Sequence, residues 1–441
     1  MILEKYFEGQ MNACKLLLIL LISLIMVNIS KAYNITELDN GLTLITEKYD
    51  DSNVVVVDFW VKTGSLYENE KNNGASHFME HMFFQGTEKR PGNTADYIKT
   101  LGATYNGATS QDFVHYYIEA PKDQLSESID IIADMLSNAV ITEKKFNEEK
   151  GVILAELASR QSEPMTYLYD KYGSVIFNPE YPYSKPVGGT YDVINKMTID
   201  ELKYFYDHFY TKDRIAVVIT GNFDENKIGD IVKRLTANIK EPKDTVDFTF
   251  TGPAVIAGPK NITEKRQTGG VVYGKIGWIG VESTHSDYPS LLLLGYILSG
   301  GTSARLDQKI VTTGLASGVS MDFSPTKLKS DFSFTFITTI ENSDKVKSLI
   351  LDEIKKIKDG DITEEELKRM KTLFESQFEM GKERPISQAS ALGYYWTSAN
   401  LELYNNLIQL IKNVNSKDIV SIANKYLKEN NYAYFQILPE N

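Results

Sequence analysis

The sequence predicts an α+β protein built from two homologous halves, each layering helices on a sheet. Three observations predict it. Strand-like and helix-like runs alternate, but without the β-α-β rhythm of a doubly wound sheet. The chain also repeats itself. Ile199–Phe209 with Ile215-Ala216-Val217 recurs as Ser416–Tyr426 with Tyr432-Ala433-Tyr434, in a register that sets Ala216 on Ala433. Finally, Pro242, Pro253, Gly258 and Pro259 gather between the copies and mark a linker. The expected division is a leader at 1–32, a first half at 33–240, a linker at 241–264 and a second half at 265–441.

The leader rests on residues 16–27, apolar throughout except Ser23, which follow Lys15 and precede Ser30-Lys31-Ala32. A basic start, a short apolar run and a small-x-small site predict a secretory signal cleaved after Ala32. The run is short for a membrane span, so no stable membrane anchor is expected after cleavage. Either Met1 or Met11 serves as a start, and Cys14, the one cysteine, falls within the leader. The mature chain is therefore expected to be exported, periplasmic or secreted, and to begin at Tyr33.

From Tyr33 onward, 41–46 and 54–61 read as paired strands. They feed the stretch 74–86, GASHFMEHMFFQG, whose Phe78, Met79, Met82, Phe83 and Phe84 predict a largely buried helix closed by Gly86. A strand at 113–118 and a helix at 126–136 follow. Thr142 then caps a helix carrying Val152, Ile153, Leu154 and Leu157. Residues 182–189 read as irregular, 199–210 as a helix and 215–219 as a strand ending at Gly221. In the second half, 273–278 mirrors 56–61, and Thr363-Glu364-Glu365-Glu366 mirrors the Thr142 cap.

The chemistry concentrates in His77-Phe78-Met79-Glu80-His81. Four residues apart on a helix, His77 and His81 project from one face about one turn apart, a spacing that lets two neutral imidazoles bind one Zn²⁺. Glu80 reaches the same edge and can take a proton from a metal-activated water. This H-x-x-E-H order is the inverzincin signature. A zinc hydrolase needs a third protein ligand, and the Thr142 helix offers Glu149 and Glu156, two turns apart on one face. Glu156 lies between Ala155 and Leu157, where a lone carboxylate is costly without a cation. Helix geometry alone does not choose among these glutamates. The second copy places Leu291–Tyr296 where the motif helix stands, and Met370 and Gln377 where Glu149 and Glu156 stand, so only the first half can bind metal. His115, His208 and His285 carry no such pattern.

Several stretches together resemble one family: HFMEHMFFQGTEKR, EEKGVILAEL, GATYNGATSQDFVHYYIEAP (102–121), residues 181–210 and SGGTSARL (299–306). They resemble the pitrilysin/insulinase zinc metallopeptidases, in particular the mitochondrial-processing-peptidase-like branch. The resemblance implies two halves facing each other as a clamshell around a peptide. It implies one Zn²⁺ per chain on His77, His81 and Glu156, with Glu80 as general base and Glu149 as a supporting carboxylate. It also makes 102–121 the edge strand that pairs with substrate backbone, with Asn106, Gly107 and Ala108 beside the metal. The function implied is an exported zinc endopeptidase for extended or unfolded peptides.

Two other classes stand beside it. A non-catalytic or substrate-presenting subunit would usually lack part of the motif, and a structural zinc module would use four Cys/His ligands without Glu80. Many family members also carry an Arg and a Tyr in the second half, within R-E-K-x-G-L-A-Y. Here Gly314-Leu315-Ala316 fixes the alignment and puts Ile310 and Ser317 at those positions. The resemblance thus implies a heterodimer, with a homologous subunit supplying the Arg/Tyr pair.

The 441 residues, 42% hydrophobic and 24% charged, suffice for two cored domains. A net charge of −12 argues against nucleic acid and anionic membrane, and mildly favours cationic substrates.

Overall fold

The computed structural model describes residues 33–243, Phe250 and 258–440. The expected leader, its cleavage site, Cys14 and both start methionines lie outside these residues. No described helix is long and apolar enough to cross a membrane.

The first half runs β1 (Asn34–Glu37), β2 (Thr43–Lys48), β3 (Val54–Val61), α1 (Ala75–Phe83), α2 (Thr94–Thr100), β4 (Thr104–Thr109) and β5 (Val114–Pro121). It continues with α3 (Leu125–Asn138), α4 (Glu143–Ser162), α5 (Pro164–Ile176), α6 (Tyr191–Lys196), α7 (Ile199–Phe209), β6 (Ile215–Gly221) and α8 (Ile228–Leu235). The second half runs β7 (Lys260–Arg266), β8 (Val272–Ile279), α9 (Tyr288–Ser299), β9 (Ala316–Asp322), β10 (Asp331–Thr338) and α10 (Ile340–Lys358). It closes with α11 (Glu364–Met380), α12 (Pro385–Ser398), α13 (Leu401–Asn413), α14 (Ser416–Tyr426) and β11 (Ala433–Pro439).

The strands form two sheets, ordered β1-β2-β6-β3-β5-β4 and β7-β11-β8-β10-β9. Apart from β1, the orders correspond strand for strand, down to one parallel pair in each, β2 with β6 and β7 with β11. Local chemistry repeats too. A capping box of Thr198 and Glu201 starts α7, and one of Asn415 and Asp418 starts α14. One boundary needs correcting, because β7 begins at Lys260, inside the stretch 241–264 read as linker. Its backbone is taken up by parallel pairing with β11, and its side chains alternate between half-buried and exposed.

The central strands read as unbroken apolar runs because both of their faces are covered. On β3, Val55, Val57, Phe59 and Val61 enter the core of their own half. Val56 and Trp60 instead meet Ala389 and Leu392 of α12, from the second half. Conversely α5, from the first half, lays Leu168, Tyr172 and Val175 on Ala433, Phe435 and Ile437 of β11. Each half therefore covers the other's sheet with one helix.

The two crossings use opposite shapes. Trp60 fills the space above Gly393, where a Cβ would lie 2.2 Å from the indole. In the equivalent crossing the large residue is Tyr172 on the helix and the small one is Gly277 on the sheet, where a Cβ would lie 2.8 Å from the Tyr172 hydroxyl. Knob and hole have exchanged sides, so the covering helices are not interchangeable. Gly393→Ala should therefore lower stability by about 3 kcal/mol through overpacking, and Trp60→Phe should recover part of that loss in the double variant. Urea unfolding measures both, and an unchanged midpoint for Gly393→Ala would refute this packing.

Candidate metal centre

The centre is built on α1, whose start is fixed by a residue that sequence reading missed. Glu68 is buried, and its carboxylate accepts from the backbone N–H of Gly74 and of Ser76, both at 2.7 Å, and from Asn73 Nδ2 at 3.0 Å. Burial pushes its carboxyl up, against these donors. An acidic group at this end also complements the helix dipole. Gly74 itself takes φ of 97°, open to glycine at little cost. Pro186 accepts from Asn73 Nδ2 at 3.1 Å, and Gly188 and Gly189 close over this end. A Cβ at Gly189 would meet the Asn73 carbonyl oxygen at 2.4 Å.

Phe78, Met79, Met82 and Phe83 anchor the buried side of α1 in the first-half core. The opposite face presents His77, Glu80 and His81, each half-buried. α4 crosses this face after its Thr142 cap, whose hydroxyl accepts from Lys145 N–H. Glu156 Oε2 lies 3.7 Å from His77 Nε2 and 3.4 Å from His81 Nε2. The three donor atoms fall within 4.8 Å of one another. A tetrahedral zinc with ligand bonds of about 2.0–2.1 Å has edges of roughly 3.4 Å, so this donor set fits the ion in chemistry and in spacing.

Glu149 stands outside that trio. Its Oε2 lies 3.2 Å from His81 Nδ1, the distance of a ring N–H donating to a carboxylate, which turns His81 Nε2 toward Glu156. Glu149→Gln should therefore keep its metal yet lose roughly ten- to a hundredfold in activity. Metal analysis paired with kinetics tests this, and zinc loss as complete as in Glu156→Ala would reverse the roles of the two glutamates.

Electrostatics separates the two imidazoles. Burial, helped by His81, pulls His77 down to about 4, so it is neutral and open to a cation. At His81 burial acts downward too, but Glu156 and Glu149 outweigh it and hold the ring above its ordinary value. Hydrogen bonding to His81 keeps Glu156 below the usual carboxylate range.

Glu80 points to the other side of the trio. Burial raises its carboxyl, and Oε2 accepts from Thr109 Oγ1 at 2.6 Å. A Cβ at Gly107 would lie 3.2 Å from Glu80 Oε1. Asn106, Gly107 and Ala108 thus sit on β4 alongside the Glu80 face, and β4 is the end strand of its sheet. Thr109 directly follows that trio and was overlooked because a lone threonine carries no pattern. Gly188 and Gly189 offered only a turn signal.

Other residues lie elsewhere. His115 Nδ1 pairs with the buried Asp58 at 3.0 Å, on strand positions facing away from α1. Among the described residues, His208 Nδ1 meets the Tyr204 carbonyl and His285 Nδ1 accepts from Asp287 N–H, both local contacts. Met370 is buried in the second core, and Gln377 Oε1 accepts from Tyr296 Oη at 3.1 Å. Ile310 is fully buried, and the Ser317 hydroxyl donates to the Ile337 carbonyl at 3.3 Å. The nearby Arg305 is engaged by Glu366 at 2.6 and 2.7 Å and by the Asp361 carbonyl at 2.6 Å.

Comparison with known proteins agrees with this architecture. Residues 43–186 match the family model described as Insulinase (Peptidase family M16), and 196–374 match Peptidase M16 inactive domain. An uncharacterized zinc protease of Rickettsia felis is 27% identical over 398 residues, covering 89% of this chain and 94% of its own length. The mitochondrial-processing peptidase subunit beta of Dictyostelium discoideum is 32% identical over 217 residues, 48% of this chain and 46% of that protein. Among solved structures, a protease from Helicobacter pylori superposes with a TM-score of 0.86 at 22% identity, covering 92% of this chain and 99% of that one. At that identity the likeness speaks for the fold.

Proposed function

Since the chain belongs to the pitrilysin/insulinase family of zinc peptidases, we propose that it is an exported endopeptidase that cleaves extended or unfolded peptides. The observation that carries this reading is the position of Glu80, held by Thr109 between the His77/His81/Glu156 cluster and the free edge of β4. One zinc ion held by that cluster would supply Lewis acidity, polarising the peptide carbonyl and lowering the pKa of water so that it can give up a proton and attack.

The chain's own groups do the rest. Glu80, raised by burial, takes the proton of the attacking water and delivers it to the departing amine. Glu149 keeps His81 oriented. Asn106, Gly107 and Ala108 offer backbone donors and acceptors to a peptide laid along β4, and their small side chains demand little of its sequence. A chain that only presents substrate needs none of His77, Glu80, His81 and Glu156 in this arrangement.

Purified protein tests the reading. Metal analysis should return about one zinc per chain. A quenched-fluorescence peptide should be cleaved, however slowly, and chelation should stop it. Equal cleavage by zinc-free protein would end the proposal. Export is tested separately by mass spectrometry of protein from the producing cell. A mature start at Tyr33 is expected, and a chain still carrying residues 1–32 would count against signal cleavage.

A further inference from the structure

A cavity of about 570 Å³ adjoins the metal-ligand cluster. It touches Leu157, the residue after Glu156, and Asn73 and Gly189, which pack around the start of α1. Its size is in the range of pockets that hold a ligand rather than a few waters. Its charge is unusual for this chain. Lys171, Lys185 and Arg266 line it against Glu70 and Asp170, and Asp170 is already engaged by Arg160 through Nε at 3.1 Å and Nη2 at 2.8 Å.

Lys171 and Lys185 are half-buried, yet neither ammonium has a hydrogen-bond or ion-pair partner among the described residues. Arg266, from the second half, donates to the Gln161 carbonyl and lies 3.7 Å over the Tyr167 ring, closing the far wall. Arg160 stands one helical turn beyond Glu156 on the same helix. Two ammonium groups that line a cavity without an ion-pair partner can each meet an anionic ligand there through charge-assisted hydrogen bonds.

We propose that this cavity is a subsite for an acidic residue of the peptide substrate flanking the scissile bond, read by Lys171 and Lys185. The proposal rests on the peptidase reading above and names its substrate class. It also reverses, locally, what the overall charge of −12 suggests about substrates. Net charge governs the approach of a peptide from a distance, whereas the subsite reads one side chain in contact.

The test compares two unstructured peptides that differ only in Glu against Gln at positions flanking the cleavage site. Binding is measured by fluorescence anisotropy on the zinc-loaded, full-length Glu80→Gln variant. The Glu peptide should bind about tenfold more tightly, the size expected of a charge-assisted contact. That advantage should shrink in high salt and fall to parity when Lys171→Ala and Lys185→Ala are added. Equal binding of the two peptides, or a preference that survives the double substitution, overturns the subsite. Cleavage by the wild-type chain is followed in parallel. If the Gln peptide is cut but no acidic preference is found, the subsite fails and the peptidase reading stands. If the Glu peptide binds preferentially and neither peptide is cut under any condition, the cavity stands as an acidic-peptide binding site while the peptidase reading, and with it the role as a substrate subsite, fails.

Discussion

Glu80→Gln should retain close to one zinc per chain while hydrolysis falls by roughly 10²–10⁴-fold, the contribution of a positioned general base. The amide is nearly isosteric with the carboxylate and can still accept from the Thr109 hydroxyl, now at 2.6 Å, so the strand and helix need not move. What it loses is basicity. Burial raises the Glu80 carboxyl above its ordinary value, the direction that favours a group that must take up and then release a proton. The contrasting set is His77→Ala, His81→Ala and Glu156→Ala, each of which removes one donor from the cluster and should lose metal and activity together. Zinc content by elemental analysis and initial rates on one peptide separate the two patterns. Wild-type turnover by Glu80→Gln would remove Glu80 from the role of base.

The features legible in the sequence were those with a period or a repeat. The spacing of His77 and His81 on a helix put both imidazoles on one face, and the structure has them there because Phe78, Met79, Met82 and Phe83 pin the opposite face in the core. The register between Ala216 and Ala433 read two halves, and the two sheets share their strand order. Geometry along α4 could not choose between Glu149 and Glu156, because both lie on the same stripe. Their different distances from α1 arise only when the helices cross. The contributions of Glu68 and Thr109 are contacts between separate elements, and no local pattern marks them. The exchange of α5 and α12 between the halves was hidden for a related reason. A helix buried against a foreign sheet has the same apolar spacing as one buried against its own.

Mixing with a homologous exported chain that carries an Arg/Tyr pair should raise peptidase activity steeply above the feeble rate expected of this chain alone. The reason is the second half. At the places where family resemblance sets those two residues, this chain has Ile310, sealed in the core, and Ser317, whose hydroxyl is spent on the Ile337 carbonyl. Ile310 has no side-chain donor, and a serine is too short to reach where a phenol would. The neighbouring Arg305 is held by Glu366 and the Asp361 carbonyl, so releasing it would leave those groups unpaired. Among the described residues, the two positions where the resemblance sets the paired donors thus offer no group to hold an oxyanion opposite the metal. Removing a single such donor typically costs 10²–10³-fold in turnover, so supplying two from a partner should restore at least about that much. Titrating the purified partner into a fixed amount of this chain should give a saturating rise in rate. The rise should vanish when the partner's Arg or Tyr is replaced, yet survive changes to whatever stands at its own motif positions. A rigorously purified preparation of this chain that reaches full turnover by itself, indifferent to any added homologue, would overturn the partnership and place the oxyanion donors elsewhere in the chain.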